Sequence, residues 1–194
     1  MKRITSYLLV IAFAAFYIVV PLSHQASAEG VTLQRMTDTL YAVIQAHRTT
    51  YARLIVNRLD NEEDIIEANE HWEEEQALLL PAQMFRKTAE LVQEDKGLGV
   101  SYSLLSLWPI NSKNKAKTDA EKKGLQFITK NQGKNYYDKE ELGGKKYFTA
   151  VYPDIAVSKA CIDCHNDHKD TPKKDFKLKD IMGGIVIRIL LDAQ

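Results

Sequence analysis

Both cysteines of the 194-residue chain lie in one five-residue stretch, Cys161-Ile162-Asp163-Cys164-His165. A disulfide between Cys161 and Cys164 would close a very small loop, so it would constrain the rest of the chain little. The fold therefore has to rest on an apolar core and on whatever chemistry this stretch supports.

The spacing C-x-x-C-H is the attachment signature of a c-type heme. Two thiols three positions apart can each form a thioether with one of the two vinyl groups on the porphyrin edge. The adjacent histidine can then supply a ring nitrogen to the iron. We therefore expect one covalently attached heme c, held by Cys161 and Cys164, with His165 as the proximal iron ligand.

Three other interpretations of the two thiols stay open at this point. A thioredoxin-like redox pair would need a strand–helix–strand context that the surrounding sequence does not show. The second is a structural disulfide, and the third is a zinc site that recruits Cys161, Cys164 and His168. The zinc site lacks an obvious fourth ligand at finger-like spacing.

The first 28 residues have the layout of a secretory signal peptide. Lys2 and Arg3 precede an almost wholly apolar run, and the small residues of Ala26-Ser27-Ala28 end the segment. Because the run is short for a membrane span, we expect cleavage after Ala28 and export, to the periplasm for example. The mature domain would cover residues 29–194 and contain no membrane span. An uncleaved N-terminal anchor is the alternative.

The charge balance argues against nucleic acid as a partner. The chain has 26 Lys and Arg against 26 Asp and Glu, so there is no global basic field. Charge is unevenly distributed, with an acidic stretch over residues 61–75 and basic stretches elsewhere. We interpret these stretches as solvated faces and loops, with a docking patch for a charged redox partner as the weaker interpretation.

Hydrophobic periodicity predicts an α+β fold. Apolar residues at steps of three and four predict a long amphipathic helix over residues 33–59. Pro81 fits the first turn of a second helix that stops near Gly97, and a Thr118–Glu121 capping box opens a third. The remaining assignments are strands over 99–111, 145–157 and 183–191 and a helical or loop-like stretch over 61–76. This order favours an antiparallel sheet over a doubly wound one.

The C-terminal stretch CIDCHNDHKDTPKKDFKLKDIMGGIVIRI, residues 161–189, resembles the Tll0287-like heme-binding family. Four upstream segments match that family in order, so the resemblance covers roughly residues 40–192; they are RTTYARLIVNRL, LLLPAQMFRKTAELV, YSLLSLWPINSKN and DAEKKGLQFI. In one branch of the family the heme motif is followed by conserved positions that correspond here to Asn166, His168, Thr171-Pro172-Lys173, Asp175-Phe176-Lys177 and Gly183.

The resemblance implies a PAS-like antiparallel sheet, with a long N-terminal helix and helical insertions, around one c-type heme. Family members occur as stand-alone exported proteins and as sensor modules in front of kinases, cyclases or chemoreceptors. Since no transmitter segment follows residue 194, we expect this chain to pass its state to a separate redox or signalling protein partner.

For the second axial position of the iron, the resemblance points to the long N-terminal helix, where a cysteine serves in a related branch. This chain has no third cysteine, so we expect His47, on the apolar stripe of that helix, to complete a bis-histidine heme. The alternative is a structural histidine. We expect Arg48 near a heme propionate and Tyr51 in the distal pocket, unless Arg48 pairs at the surface and Tyr51 simply packs. For the other candidates, we expect core positions for Met36 and Met84, a surface position for His71, and a turn cap or propionate contact for His168.

Function then divides into two classes. Two strong axial ligands would give six-coordinate, low-spin iron suited to electron transfer or redox sensing, which is our principal expectation for a non-enzymatic, exported cytochrome. An open iron position would instead suit a gas-binding heme sensor or a heme enzyme. An enzyme would also need a distal acid–base pair, which the sequence does not show.

Overall fold

The computed structural model describes residues 30–191, so the segment interpreted as a signal peptide, residues 1–28, lies outside the described residues. Among the residues it describes, no helix is both long enough and apolar enough to cross a membrane. The helices are α1 (Leu33–Thr50), α2 (Pro81–Glu94), α3 (Asp119–Lys130) and α4 (Lys159–Asp167), and a π-helical segment, Tyr51–Glu62, continues α1. The strands are β1 (Ala68–Asn69), β2 (Leu78–Leu79), β3 (Val100–Leu105), β4 (Tyr136–Leu142), β5 (Lys145–Ile155) and β6 (Ile181–Leu190).

Four strands form an antiparallel sheet in the order β3-β6-β5-β4. The long strands β5 and β6 lie at its centre, and α4 lies in the connection between them. A two-residue turn, Gly143-Gly144, joins β4 to β5, and both glycines have positive φ angles, 57° and 76°, as a tight hairpin turn of this length requires. The predicted α+β fold with an antiparallel sheet is therefore confirmed.

The two faces of the sheet carry separate apolar clusters. Successive side chains of a strand point to opposite faces, so Val151 and Val186 pack against α3 while Tyr152 and Ile185 face the other way. On that second face, residues of α1 and α2 cover the sheet; they include Leu40, Tyr41, Ile44, Phe85 and Ala89. The sheet is thus covered by helices on both faces.

The helix predicted over residues 33–59 is present, but its second part is π-helical rather than α-helical. Residues Tyr51–Glu62 form a π-helical segment of 12 residues, far longer than the single turn in which this geometry usually occurs, often at functional sites. Residues 63–79, in contrast, form mostly turns, with the short parallel pair β1 and β2. The helical alternative for 61–76 is therefore wrong beyond Glu62.

Helix α3 approaches the sheet through a glycine. A Cβ atom at Gly124 would clash with Cγ2 of Val151 on β5.

Alanine at position 124 would ordinarily favour the helix by about 1 kcal/mol, but overpacking against the sheet costs about 1–3 kcal/mol. We expect Gly124→Ala to lower the free energy of unfolding by up to about 2 kcal/mol in urea titrations, since the overpacking cost exceeds the helix gain. Lys123→Ala, on the exposed face of α3, should change it by less than about 0.5 kcal/mol. A more stable Gly124→Ala protein would contradict this account.

Candidate functional site

Helix α4 brings the two cysteines and the adjacent histidine together. Positions i, i+3 and i+4 share one face of an α-helix, and Cys161, Cys164 and His165 have that spacing in α4. All three line the same cavity, which has a volume of about 290 Å³. Cys161 is half-buried, with its Sγ 3.3 Å from the Ser158 hydroxyl, and Cys164 is exposed.

The rest of the cavity wall comes from elements far apart in the chain. The end of α1 and the π-helical segment supply Arg48, Val56 and Asp60, the start of α2 supplies Pro81 and Gln83, and the sheet supplies Leu104, Asp154, Met182 and Gly183. The opening near Cys164 is acidic. Desolvation raises the pKa of the Cys164 thiol, and the charges of Cys161, Glu70, Asp167 and Asp60 add to that effect.

His165 is held as a neutral imidazole. Burial lowers its pKa to about 4, and the charges of Arg48 and His168 act in the same direction. Its Nδ1 atom is buried and has no hydrogen-bond partner, so Nε2 is the ring nitrogen left for a ligand in the cavity. A neutral imidazole with one nitrogen available is the form that binds iron. The residues present therefore fit a heme c, which needs two thiols and one imidazole.

The lowered pKa of His165 predicts a pH-dependent stability. An imidazole in the unfolded chain titrates near 6.5, so between about pH 6.5 and 4 the unfolded state binds a proton that the folded state does not. We expect the free energy of unfolding of heme-free protein to fall as the pH drops through this window, by up to about 3 kcal/mol. Urea titrations at several pH values measure it. His165→Gln should flatten the dependence, and His71→Gln, at an exposed position, should not; equal slopes in both variants would contradict it.

A buried ion pair lies beside this histidine on the cavity wall. Arg48 Nη2 donates a hydrogen bond to Asp154 Oδ2 at 3.0 Å, and Arg48 Nη1 lies 2.9 Å from Asp154 Oδ1 without hydrogen-bond alignment. Arg48 is 7% exposed and Asp154 4%. Burial raises the pKa of Asp154, and the Arg48 guanidinium opposes that shift. The surface-pair alternative for Arg48 is therefore wrong.

The expectation that the His47 ring faces the core is also wrong. His47 is exposed and does not line the cavity, whereas the next residue, Arg48, is buried and does. The buried face of the helix runs through Thr37, Arg48, Ala52 and Val56. Some members of the predicted apolar stripe, such as Leu40 and Ile44, pack on the sheet, but others are exposed, so the stripe extends beyond the buried face of the helix. The exposed members are Met36, Val43 and Leu54.

The other predicted residues fall in different places. Tyr51 does not line the cavity; its hydroxyl donates to the Leu79 carbonyl oxygen at 2.8 Å and ties the π-helical segment to β2. Met84 is half-buried and away from the cavity, His71 is exposed as expected, and Met36 is exposed rather than in the core. His168 lines the cavity, and its Nδ1 accepts a hydrogen bond from the Asp170 amide at 3.1 Å, as a turn cap.

Two features of the site were not found from the sequence. The first is Asp154, which lies at an irregular point of the β5–β6 pairing. A single acidic residue inside an apolar strand indicates a buried charge that needs a partner, so the sequence does contain a sign of this site. The second is the pairing of Asn166 with Phe176, whose partners are ten residues apart. Among residues 30–191 no three His, Cys, Asp or Glu side chains are arranged to hold a metal ion.

Comparison with known proteins gives a family and a fold. The sequence model of the Tll0287-like family (Tll0287) matches residues 29–189 of this chain. A solved structure titled as that of the cyanobacterial heme-protein Tll0287 superimposes with a TM-score of 0.53 at 14% identity, covering 84% of this chain and 99% of its own. At that identity the likeness shows a shared fold. The comparison with curated proteins gave no match.

Proposed function

Because the chain belongs to the Tll0287-like family, we propose that it is an exported, non-enzymatic c-type heme protein that acts in electron transfer or redox sensing. One heme would be attached covalently through Cys161 and Cys164, with His165 as an iron ligand, in a PAS-like domain. The neighbouring structure is titled as a heme protein, which supports the same cofactor here. Export is supported by the N-terminal sequence alone.

One observation carries this proposal. Helix α4 places Cys161, Cys164 and His165 on the wall of a single cavity, and the histidine there is neutral, since burial lowers its pKa to about 4. A protonated imidazole cannot bind a metal ion. At a surface histidine, water would compete with the imidazole for the metal. The site thus presents two thiols and one metal-binding nitrogen to the same cavity.

The chain's own residues would bind, orient and shield the cofactor. The bound heme would supply a one-electron redox centre. The two thiols would hold it against loss from an exported protein, His165 would supply an iron ligand, and apolar residues such as Val56 and Leu104 would exclude water from the cavity wall. A separate redox or signalling protein would be the partner.

A second candidate function is a gas-binding heme sensor with an open iron position. The observation that favours it concerns the residues that α1 and the π-helical segment bring to the cavity. The cavity residues that α1 and the π-helical segment contribute are Arg48, Val56, Asp60 and Asn61, none of which is a histidine, cysteine or methionine. A heme enzyme would need an acid–base pair over the same position.

Absorption spectra separate these functions. The protein is expressed with a cytochrome maturation system, and its mass should exceed that of the processed chain by one heme that resists acid–acetone extraction. A low-spin ferric spectrum with slow carbon monoxide binding supports electron transfer or redox sensing. Fast carbon monoxide binding by the ferrous form supports the open site. A bare chain without heme would overturn both.

A further inference from the structure

His165 lacks the hydrogen bond that usually orients a metal-binding imidazole. Such histidines almost always donate the second ring nitrogen's proton to a carbonyl, a carboxylate or water, which fixes the plane of the ring. Here Nδ1 is buried without a partner. Rotation about the bond between Cβ and the ring is only weakly restricted by its own torsional preference, so something else has to set the ring plane.

The aromatic side chain packed against the His165 ring is Phe176. Its ring stands almost perpendicular to the His165 ring, at 88°, with 5.9 Å between the ring centroids. This edge-to-face arrangement is one of the favourable geometries for aromatic pairs. Phe176 is 3% exposed, so its own position is fixed by packing.

Asn166, the residue after His165, holds Phe176 in this place. Its Nδ2 donates to the Phe176 carbonyl oxygen and its Oδ1 accepts from the Phe176 amide, each at 3.0 Å. The side chain therefore satisfies both backbone groups of a loop residue, as a neighbouring strand would. This pair of bonds joins the end of α4 to the loop that returns towards β6.

Two further side chains lie close to the Phe176 ring. Trp108 meets it edge-on at 5.9 Å and 73°, and Lys173 Nζ lies 4.8 Å from the Phe176 ring centroid and 5.6 Å from that of Trp108. A cation over an aromatic face is stabilising at these distances. Phe176 thus contacts Trp108 and Lys173 as well as the imidazole.

We infer that Asn166 is a positioning residue for the iron ligand: by pinning Phe176 against His165, it sets the plane of an imidazole that has no hydrogen bond of its own. This inference rests on the proposed function, because it concerns the ring that would coordinate heme iron. Asn166 itself does not contact the ligand position; it acts through Phe176.

The test uses the heme-loaded protein and the hyperfine-shifted methyl resonances of the ferric heme, which depend on the orientation of the axial imidazole plane. Asn166→Ala removes both hydrogen bonds, and Phe176→Leu removes the ring but keeps an apolar side chain. The matched control is Asn131→Ala, which removes a hydrogen bond from Asn131 Nδ2 to the Phe127 carbonyl oxygen, 2.9 Å long, on α3.

We expect both site variants to change the pattern of methyl shifts and to move the reduction potential, while the control leaves both unchanged. Unchanged spectra in heme-loaded Asn166→Ala would overturn the inference, whatever Phe176→Leu shows, and would leave the proposed function standing. If Asn166→Ala fails to fold, Asn166→Asp, which loses the donor to the Phe176 carbonyl oxygen but keeps the acceptor for the Phe176 amide, takes its place and decides in the same way. A wild-type chain that binds no heme overturns the proposed function, and this inference with it.

Discussion

Replacing both Cys161 and Cys164 by alanine is expected to abolish covalent heme attachment completely. No other cysteine exists in the chain, so no second thiol can form a thioether. Heme staining of a denaturing gel, together with the intact mass after acid–acetone extraction, measures the loss. Each single variant can form at most one thioether, which still resists the extraction, so its covalent heme content should fall without reaching zero.

The fold should survive this change, so that loss of heme is not mistaken for unfolding. Cys164 is exposed, and Cys161 packs only at the edge of a small apolar cluster that contains Ala156, Phe176 and Met182. Ser158→Ala is the matched control, because its hydroxyl lies 3.3 Å from Cys161 Sγ and cannot form a thioether. Equal heme content in the double variant and the control would refute covalent attachment.

The parts of the fold that were predictable are those where the local pattern and the tertiary environment agree. Strand β6 lies in the centre of the sheet, so almost all of its residues are buried, and a continuous apolar run is the expected signal. The Thr118–Glu121 capping box opens α3 as predicted, with the Thr118 hydroxyl accepting from the Glu121 amide. In both cases the residues of one short stretch are enough to specify its secondary structure.

Strand β4 was not predicted, because its residues are typical of an edge strand rather than of a buried central strand. The sequence YYDKEEL pairs with β5 alone and exposes much of its surface, and charged residues are typical of edge strands that avoid further pairing. Helix α4 was also not assigned, since it has nine residues and no side-chain cap. The spacing of the heme motif nevertheless identified its functional face, because that inference depends on the thiols alone.

The distal side of the site could not be read from the sequence, because a charged residue occupies the buried stripe of α1. A hydrophobic pattern assigns arginine to the surface, and only the tertiary structure shows that Asp154, 106 residues further along, neutralises Arg48. A one-residue error rotates a helix by 100°, which is enough to exchange His47 for Arg48. Buried ion pairs between distant segments leave no periodic signal.

Removing one partner of that pair should have a large effect on stability. Arg48→Met leaves Asp154, at 4% exposure, as an uncompensated buried carboxylate, and breaking a buried pair in this way costs about 3–5 kcal/mol. We expect a drop of that size in the free energy of unfolding at pH 7, measured by urea titration. The double variant Arg48→Met/Asp154→Leu, which removes both charges, should recover most of it.

The pH dependence of the single variant distinguishes a lost charge partner from lost packing. In the wild type, burial raises the pKa of Asp154 and Arg48 opposes the shift, so without Arg48 the carboxyl binds its proton more tightly in the folded state than in the unfolded one. Stability from such a group is complete below the unfolded pKa and is lost as the pH rises through the folded one. The deficit of Arg48→Met relative to wild type should therefore shrink as the pH is lowered, whereas the double variant should show no such trend. A deficit that is constant with pH would mean that Arg48 contributes through packing of its side chain and not through its charge.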